Sequence, residues 1–167
     1  MTAITVTNTE WAILDDLRQA LAAAAIDGAA VFGAVSVTTS PQQARQVQLR
    51  GSGARAILRY AGTDERESPE GLRACVMSVE ILLAKPMPAV TADEGPRVRE
   101  MLRLVNAVKN AIAASPPSDA SYWGDGSAWH DRLAWDSPDI DTTERPPWAS
   151  ATIGLEIGYT LDNATSH

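Results

Sequence analysis

Residues 151–161 alternate at every second position between apolar side chains and polar or glycine residues. Successive side chains of a β-strand point to opposite faces, so this pattern predicts a strand with one face in a core. Such a strand needs neighbouring strands and a covering layer, which restricts the chain to folds built on a sheet. The core-facing positions are Ala151, Ile153, Leu155, Ile157, Tyr159 and Leu161.

Three other segments have the composition of strands. Residues 73–85 repeat the alternation, and Pro86 and Pro88 follow them. A run rich in β-branched residues predicts a shorter strand at 30–38, and a second short strand is predicted at 56–60, ending at a turn over 62–64. The apolar side of the 73–85 segment carries Cys75, Met77, Val79, Ile81 and Leu83, opposite Ser78 and Glu80.

Apolar residues at helical spacing predict helices over 9–26 and 96–114, and Ser40-Pro41 predicts a short helix over 41–48. The second helix is expected to pack on the core through one apolar stripe, made of Val98, Met101, Leu102, Val105, Val108 and Ile112. Its charged residues Arg97, Arg99, Glu100 and Arg103 are expected to turn away. The order α-β-(α)-β-β-α-β predicts one α+β domain over residues 1–167. Its single, mostly antiparallel sheet carries helices on one face.

Residues 115–150 lack periodicity and contain five prolines and four of the five tryptophans, which predicts a long loop. The loop has seven acidic residues against two arginines, whereas residues 41–60 have four arginines and no acid. Opposite charge predicts that subunits meet acidic patch to basic patch, with tryptophans as anchors. The alternative is that the tryptophans hold the loop on its own domain. The candidate interface residues are Trp123, Trp129, Trp135, Arg45, Arg50, Arg55, Arg59, Asp131 and Asp136.

Motifs that would carry chemistry fail in their contexts. Residues 51–56 (GSGARA) match a dinucleotide-binding spacing, but a strand is predicted after them where that motif needs a helix. Counted from Asp139, a calcium loop would need glycine and glutamate where Glu144 and Ser150 stand. His130 precedes Asp131 but has no nucleophile in a suitable context. We therefore expect no catalytic residue, metal or cofactor.

The charge balance bears on partners. The formal net charge is −7, which disfavours specific nucleic-acid binding and binding to anionic membranes. No apolar run approaches the roughly 20 residues that span a bilayer. Cys75 is the single cysteine and lies in an apolar run, so we expect a buried, unreactive thiol.

Residues 56–63 (AILRYAGT), the long β run at 73–85, the helix at 96–114 and Trp148 ahead of the last strand together resemble the tail terminator (tail completion) proteins of tailed bacteriophages. The form found in contractile, Mu-like tails is the most similar. The resemblance covers most of the chain.

The resemblance implies a ring, usually a hexamer, on the head-proximal end of the tail tube, where it ends tube polymerisation and offers a surface for head joining. The implied partners are further copies of the chain, the tail tube protein and the head–tail connector. The implied location is the virion tail, after assembly in the host bacterial cytoplasm. The resemblance implies no catalytic residues to carry over. A head–tail adaptor, an injection-machine cap, and a small-ligand-binding domain or enzyme stay open as alternatives.

Overall fold

A computed structural model describes residues 9–40, 53–67, 72–87, 93–114, 133–142 and 148–162. These residues form two helices and a mostly antiparallel sheet, which confirms the predicted α+β class. In chain order the elements are α1 (Thr9–Ala22), β1 (Ala25–Ile26), β2 (Ala29–Ala30), β3 (Phe32–Thr38), β4 (Ala54–Glu67), β5 (Leu72–Pro86), α2 (Gly95–Ala114), β6 (Leu133–Trp135), β7 (Asp139–Asp141) and β8 (Trp148–Asp162).

The ladder between β5 and β8 is the longest in the sheet. Its fifteen antiparallel pairs run from Leu72 opposite Asp162 to Pro86 opposite Trp148. The predicted alternation is confirmed on both strands, because the same side of each is buried. The buried positions are Cys75, Met77, Val79, Ile81 and Leu83 on β5, and Ala149, Ala151, Ile153, Leu155, Ile157 and Tyr159 on β8.

The main sheet has the order β3-β4-β5-β8-β6, and β7 also pairs with β8. The β3–β4 pair is parallel, while every other pair in this sheet is antiparallel. The strands β1 and β2 form a separate two-stranded hairpin. Two edges therefore bound the described sheet, one at β3 and the other along β6 and β7.

Both helices pack on the face of the sheet that carries the buried residues of β5 and β8. The stripe of α2 that reaches this core is Arg97, Met101, Leu104, Val105, Val108 and Ile112. The expectation was wrong at two positions, since Arg97 is buried and Leu102 is 42% exposed. Each residue advances about 100° around a helix, so Arg97, one turn before Met101, shares its face, whereas Leu102 turns away.

Helix α1 is shorter than the predicted helix at 9–26, because the chain turns back at Asp27 and Gly28. Both residues have positive φ, 52° and 80°. This matches the two-residue turn that follows the right-handed twist of a β-hairpin, for which Asp-Gly is a favoured sequence. The pairing of β1 with β2 then ends the helical path at Ala22.

The predicted turn at 62–64 is also wrong, because β4 continues through it to Glu67. The register of β4 against β5 shifts between Tyr60 and Gly62, and Gly62 has a φ of 124°. An extra residue at this point makes a β-bulge, and glycine supplies the backbone conformation that a side chain would oppose. The bulge keeps β4 paired with β5 over almost its full length.

Two hydrogen bonds between side chains fix the first half of α2 and the residue before it to the sheet. Lys85 of β5 donates to Glu100 at 2.6 Å, and Thr142, next to β7, donates to Glu94 at 2.8 Å. The Lys85 ammonium holds the pKa of the Glu100 carboxyl below its usual value of 4.5. These contacts join the start of the helix layer to the central strand β5 and to the residue that follows the edge strand β7.

The predicted helix at 41–48 lies outside the described residues. The predicted loop at 115–150 is not wholly irregular, since it contains β6 and β7 and the start of β8. No helix among the residues that the structure describes is long and apolar enough to cross a bilayer.

Ile157 tests the buried face of the sheet. Its side chain has 0% exposure, so Ile157→Ala is expected to lower the free energy of unfolding by about 2–5 kcal/mol. Val76→Ala, on the opposite face at 39% exposure, is the matched control and should cost much less. Urea denaturation of both variants measures the difference, and equal losses would contradict the assignment of faces.

Glu100 provides a pH test of the contact between α2 and β5. A carboxyl whose folded pKa is lowered adds stability above its unfolded pKa, here near 4.5, and loses it as pH falls through the folded pKa. The stability difference between the wild type and Glu100→Gln should therefore be largest above about pH 5 and shrink below about pH 4.5. Denaturant unfolding from pH 3 to 7 measures it, with Glu156→Gln as the control for removing an acid. A difference independent of pH would contradict the role of Lys85.

Candidate assembly interface on the open face of the sheet

One face of the sheet lies under the helices, and no described helix packs on the other, which we call the open face. Strand register assigns its residues, because side chains alternate and paired residues share a face. The open face includes Ala34, Ser36 and Thr38 of β3, Arg55, Ile57 and Arg59 of β4, Val76, Ser78, Glu80 and Leu82 of β5, Thr152, Gly154 and Glu156 of β8, and Asp139 and Asp141 of β7.

The side of the open face nearest β3 is basic. Arg55 and Arg59 stand on β4 in register with Ala34 and Thr38 of β3. The Arg59 guanidinium donates to Glu80 of β5 at 2.9 Å. β3 itself has no charged residue and no proline. We call β3 with these two arginines the basic edge.

The opposite side is acidic, and we call β6 and β7 together the acidic edge. Three residues separate Trp135 from Asp139, whereas two separate their partners Leu155 and Thr152, so one extra residue makes a bulge. Pro138 lies in this bulge, a usual place for proline in an edge strand. The described stretches 133–142 and 148–162 contain no lysine or arginine.

Asp136 is held over β8 by a local fit. Its backbone N–H donates to the Gly154 carbonyl at 2.9 Å. A Cβ at position 154 would overlap the Asp136 carboxylate, so glycine leaves the space that this carboxylate occupies. Glu80 is the register partner of Gly154 on β5, and it is the acid that Arg59 of β4 binds.

The two edges lie at the same level of the sheet. Strand register makes two continuous rows across it: Ala34, Arg55, Ala84, Ser150, Asp141 and Ser36, Ile57, Leu82, Thr152, Asp139. Four inter-strand spacings separate β3 from β7, which is roughly 19 Å. That distance exceeds the Debye length of about 8–10 Å at physiological salt, so the two edges hardly attract each other within one chain.

Four of the nine candidate interface residues fall on described segments. Arg55 and Arg59 lie at the basic edge, and Asp136 lies at the acidic edge. The structure does not bring these opposite charges together within the chain. The remaining candidates, Arg45, Arg50, Trp123, Trp129 and Asp131, lie outside the described residues.

Trp135 is the candidate that faces the helices. It is the register partner of Leu155, it packs against the core while half-buried, and the Lys109 ammonium of α2 lies 5.5 Å from its ring centroid. This contact is what the alternative from sequence describes, a tryptophan that holds its segment on its own domain. A contact with a neighbouring subunit stays a prediction.

The sequence did not single out Asp139 and Asp141 as interface residues, and it did not single out β3. Both aspartates were counted among the seven acidic residues of the loop and weighed as calcium ligands, but neither was named as a candidate interface residue. The signal that could have identified them is their spacing of two around Ile140, which places both acids on one face of a strand. The β3 edge had no such signal, because edge position depends on strand order.

Other parts of the described chain show little chemistry. Among the described residues, no group of three His, Cys, Asp or Glu side chains could hold a metal ion. Cys75 is buried. A groove of about 510 Å³ between the end of α1 and α2 is lined mainly by alanines, with Arg103, Asn106 and Asn110. Arg103 lies 3.2 Å from the Asp27 carboxylate and 3.8 Å from that of Glu100, so its charge is already partnered.

Trp135→Ala is expected to lower the free energy of unfolding by about 1–3 kcal/mol, less than for a fully buried tryptophan, and to leave the domain folded. Trp11→Ala is the matched control, since Trp11 on α1 is 52% exposed. Urea denaturation of both variants measures the difference. A loss for Trp135→Ala no larger than that for Trp11→Ala would mean that Trp135 contributes little to its own domain.

Comparisons with known proteins add no assignment. No protein-family model matches the chain. A search of curated proteins also finds no match.

Proposed function

We propose that this chain is a structural subunit that forms a ring on the head-proximal end of a phage tail tube, where it ends tube growth and offers a surface for head joining. One observation carries the proposal: a basic edge and an acidic edge lie at opposite sides of one sheet face, at the same level. The resemblance to tail terminator proteins supplies the tube and the head as partners.

Opposite edges of opposite charge favour a head-to-tail contact between copies. Contacts between two different patches generate rings when the rotation closes, whereas contacts between identical patches stop at a dimer. Here two basic edges repel each other, as do two acidic edges, so the charges disfavour the identical-patch dimer. Complementary charge mainly sets the rate of encounter and the register, and apolar contacts supply affinity.

A head–tail adaptor or an injection-machine cap would use the same contact between copies and differ in the surface that it binds. A small-ligand-binding domain is the second candidate, and the groove between α1 and α2 is the observation that favours it. That groove ranks below the open face, because alanines form most of its wall and Arg103 is already partnered by two carboxylates.

Tube capping tests the proposal. The purified chain is added to polymerising tail tubes of the same phage, and tube lengths are measured by negative-stain microscopy. We expect growth to stop, with a ring of density at one end of each tube, because bound subunits cover the elongating surface. An unrelated acidic protein of similar size is the control.

Sedimentation over a concentration series accompanies this experiment, since the ring can require the tube end as a template. Unchanged tube growth in the presence of the chain would contradict the capping role. Binding to tail-free heads without binding to tubes would favour the adaptor. A strictly monomeric chain that leaves tubes unbound would contradict both structural roles.

A further inference from the structure

The open backbone edge of β3 suggests how copies meet. On its free side, β3 has no partner strand among the described residues. Alternate N–H and C=O groups of an edge strand point away from its neighbour and can pair with another chain. Edge strands are usually guarded by charge, proline or a bulge. The seven residues of β3 contain no charge and no proline, and the register shift between Phe32 and Ala34 is the one guard of the three that β3 has. The acidic edge carries Asp139 and Asp141, Pro138, and the extra residue between β6 and β7, which disfavour pairing of two acidic edges with each other.

We infer that β3 of one copy pairs antiparallel with β7 of a second copy, so that the sheet continues across the subunit boundary. This inference rests on the proposed ring and names its contact. Strand direction supports it: β3 and β4 are parallel, and three antiparallel steps then lead to β7. A copy in the same orientation therefore offers β7 antiparallel to β3.

The rows of the open face specify the register. If each row continues into the neighbour, Ala34 faces Asp141 of the second copy and Ser36 faces its Asp139. These two pairs belong to one antiparallel register, which also places Val35 opposite Ile140 of the second copy. Val35 and Ile140 are partly buried residues that pack against the core of their own chain. Their pairing would extend the apolar layer under the helices, while the acids stay on the open face.

The charges agree with this register. Ala34 and Ser36 are small and exposed, so no bulky side chain lies between the arginines of β4 and the added strand. Arg55 shares the row of Ala34, and two strand spacings, about 10 Å, separate it from Asp141 of the second copy. A long arginine side chain can cover much of that distance. Arg55 and Arg59 flank the row that contains Asp139 of the second copy, so both acids meet basic surface.

Cysteine cross-linking tests the contact. Directly opposed residues of an antiparallel pair have Cβ atoms about 4.5–5.5 Å apart, close enough for a disulfide with small adjustment. Within one chain, positions 36 and 139 are separated by roughly 19 Å, which rules out an internal bond. The native Cys75 is buried at 1% exposure. The variant Ser36→Cys/Asp139→Cys is oxidised in solution over a concentration series and on capped tubes, then resolved without reductant.

We expect a ladder of covalent species beyond the dimer, because each subunit supplies one cysteine to each of two neighbours. The single variants should give no ladder. Ser36→Cys/Glu156→Cys is the matched control and should also give none, because Glu156 is an acid on β8, one strand inside the acidic edge. Adding Arg55→Glu to the cross-linking variant should lower the yield at least several-fold at low salt. Adding Asp64→Lys should leave the yield unchanged, because Asp64 lies on the same face of β4 but beyond the end of β3.

Three results would overturn the inference: no cross-link while the wild type caps tubes, a product that stops at the dimer, or dimers from Ser36→Cys alone. The first leaves the proposed function standing and moves the contact elsewhere. The second and third place the contact on a two-fold axis. A ladder from a chain that does not cap tubes would keep the strand contact and remove the capping role.

Discussion

The antiparallel pairing of β5 with β8 is the interaction on which the rest of the structure depends. Each strand is fifteen residues long, and both bury alternate side chains on the same side. The helices pack on that side, and β4 and the acidic edge pair with the outer sides of the two strands. A shift of one residue in this ladder would exchange the buried and open faces of one strand, so its register is strongly specified.

The same ladder separates the charges of the open face. With β5 and β8 at the centre, β3 and β4 are placed on one side and β6 and β7 on the other. The arginines of β4 and the aspartates of β7 then stand at opposite edges, too far apart to neutralise each other. Such an arrangement leaves each edge complementary to the other edge of a second copy. The candidate interface is thus a consequence of strand order and of the two-residue repeat.

The sequence was sufficient for the elements with long, regular patterns. The strands expected at 73–85 and 151–161 and the helix at 96–114 are present, because eleven or more residues of one period outweigh local preferences. The sequence prediction was wrong where a local turn or bulge outweighs the longer pattern. Ala23 and Ala24 suit a helix, but the Asp27-Gly28 turn ends it, and Gly62 forms a bulge where a turn was expected. The three-residue strands β6 and β7 exist only because β8 templates them.

Charge separation along the chain was also visible in the sequence, but its geometry was not. Nothing in the residues of β3 shows that it pairs parallel with β4 or that it forms an edge. Asp139 and Asp141 become candidate interface residues only when the strand register places them in the rows of Ser36 and Ala34. For Trp135 the sequence suggested an anchor at an interface, because its segment is rich in tryptophan. The structure instead places it beside Lys109 on the domain's own core.

Hydrogen–deuterium exchange on the free and tube-bound chain tests most directly whether two different edges meet. Amide protection reports local opening, and new strand pairing slows exchange at the paired residues. We predict that residues 32–38 and 139–141 both gain protection on assembly, while 74–78 in the central strand β5 change little. Protection confined to 32–38, or confined to the exposed surface of the helices, would contradict the head-to-tail account.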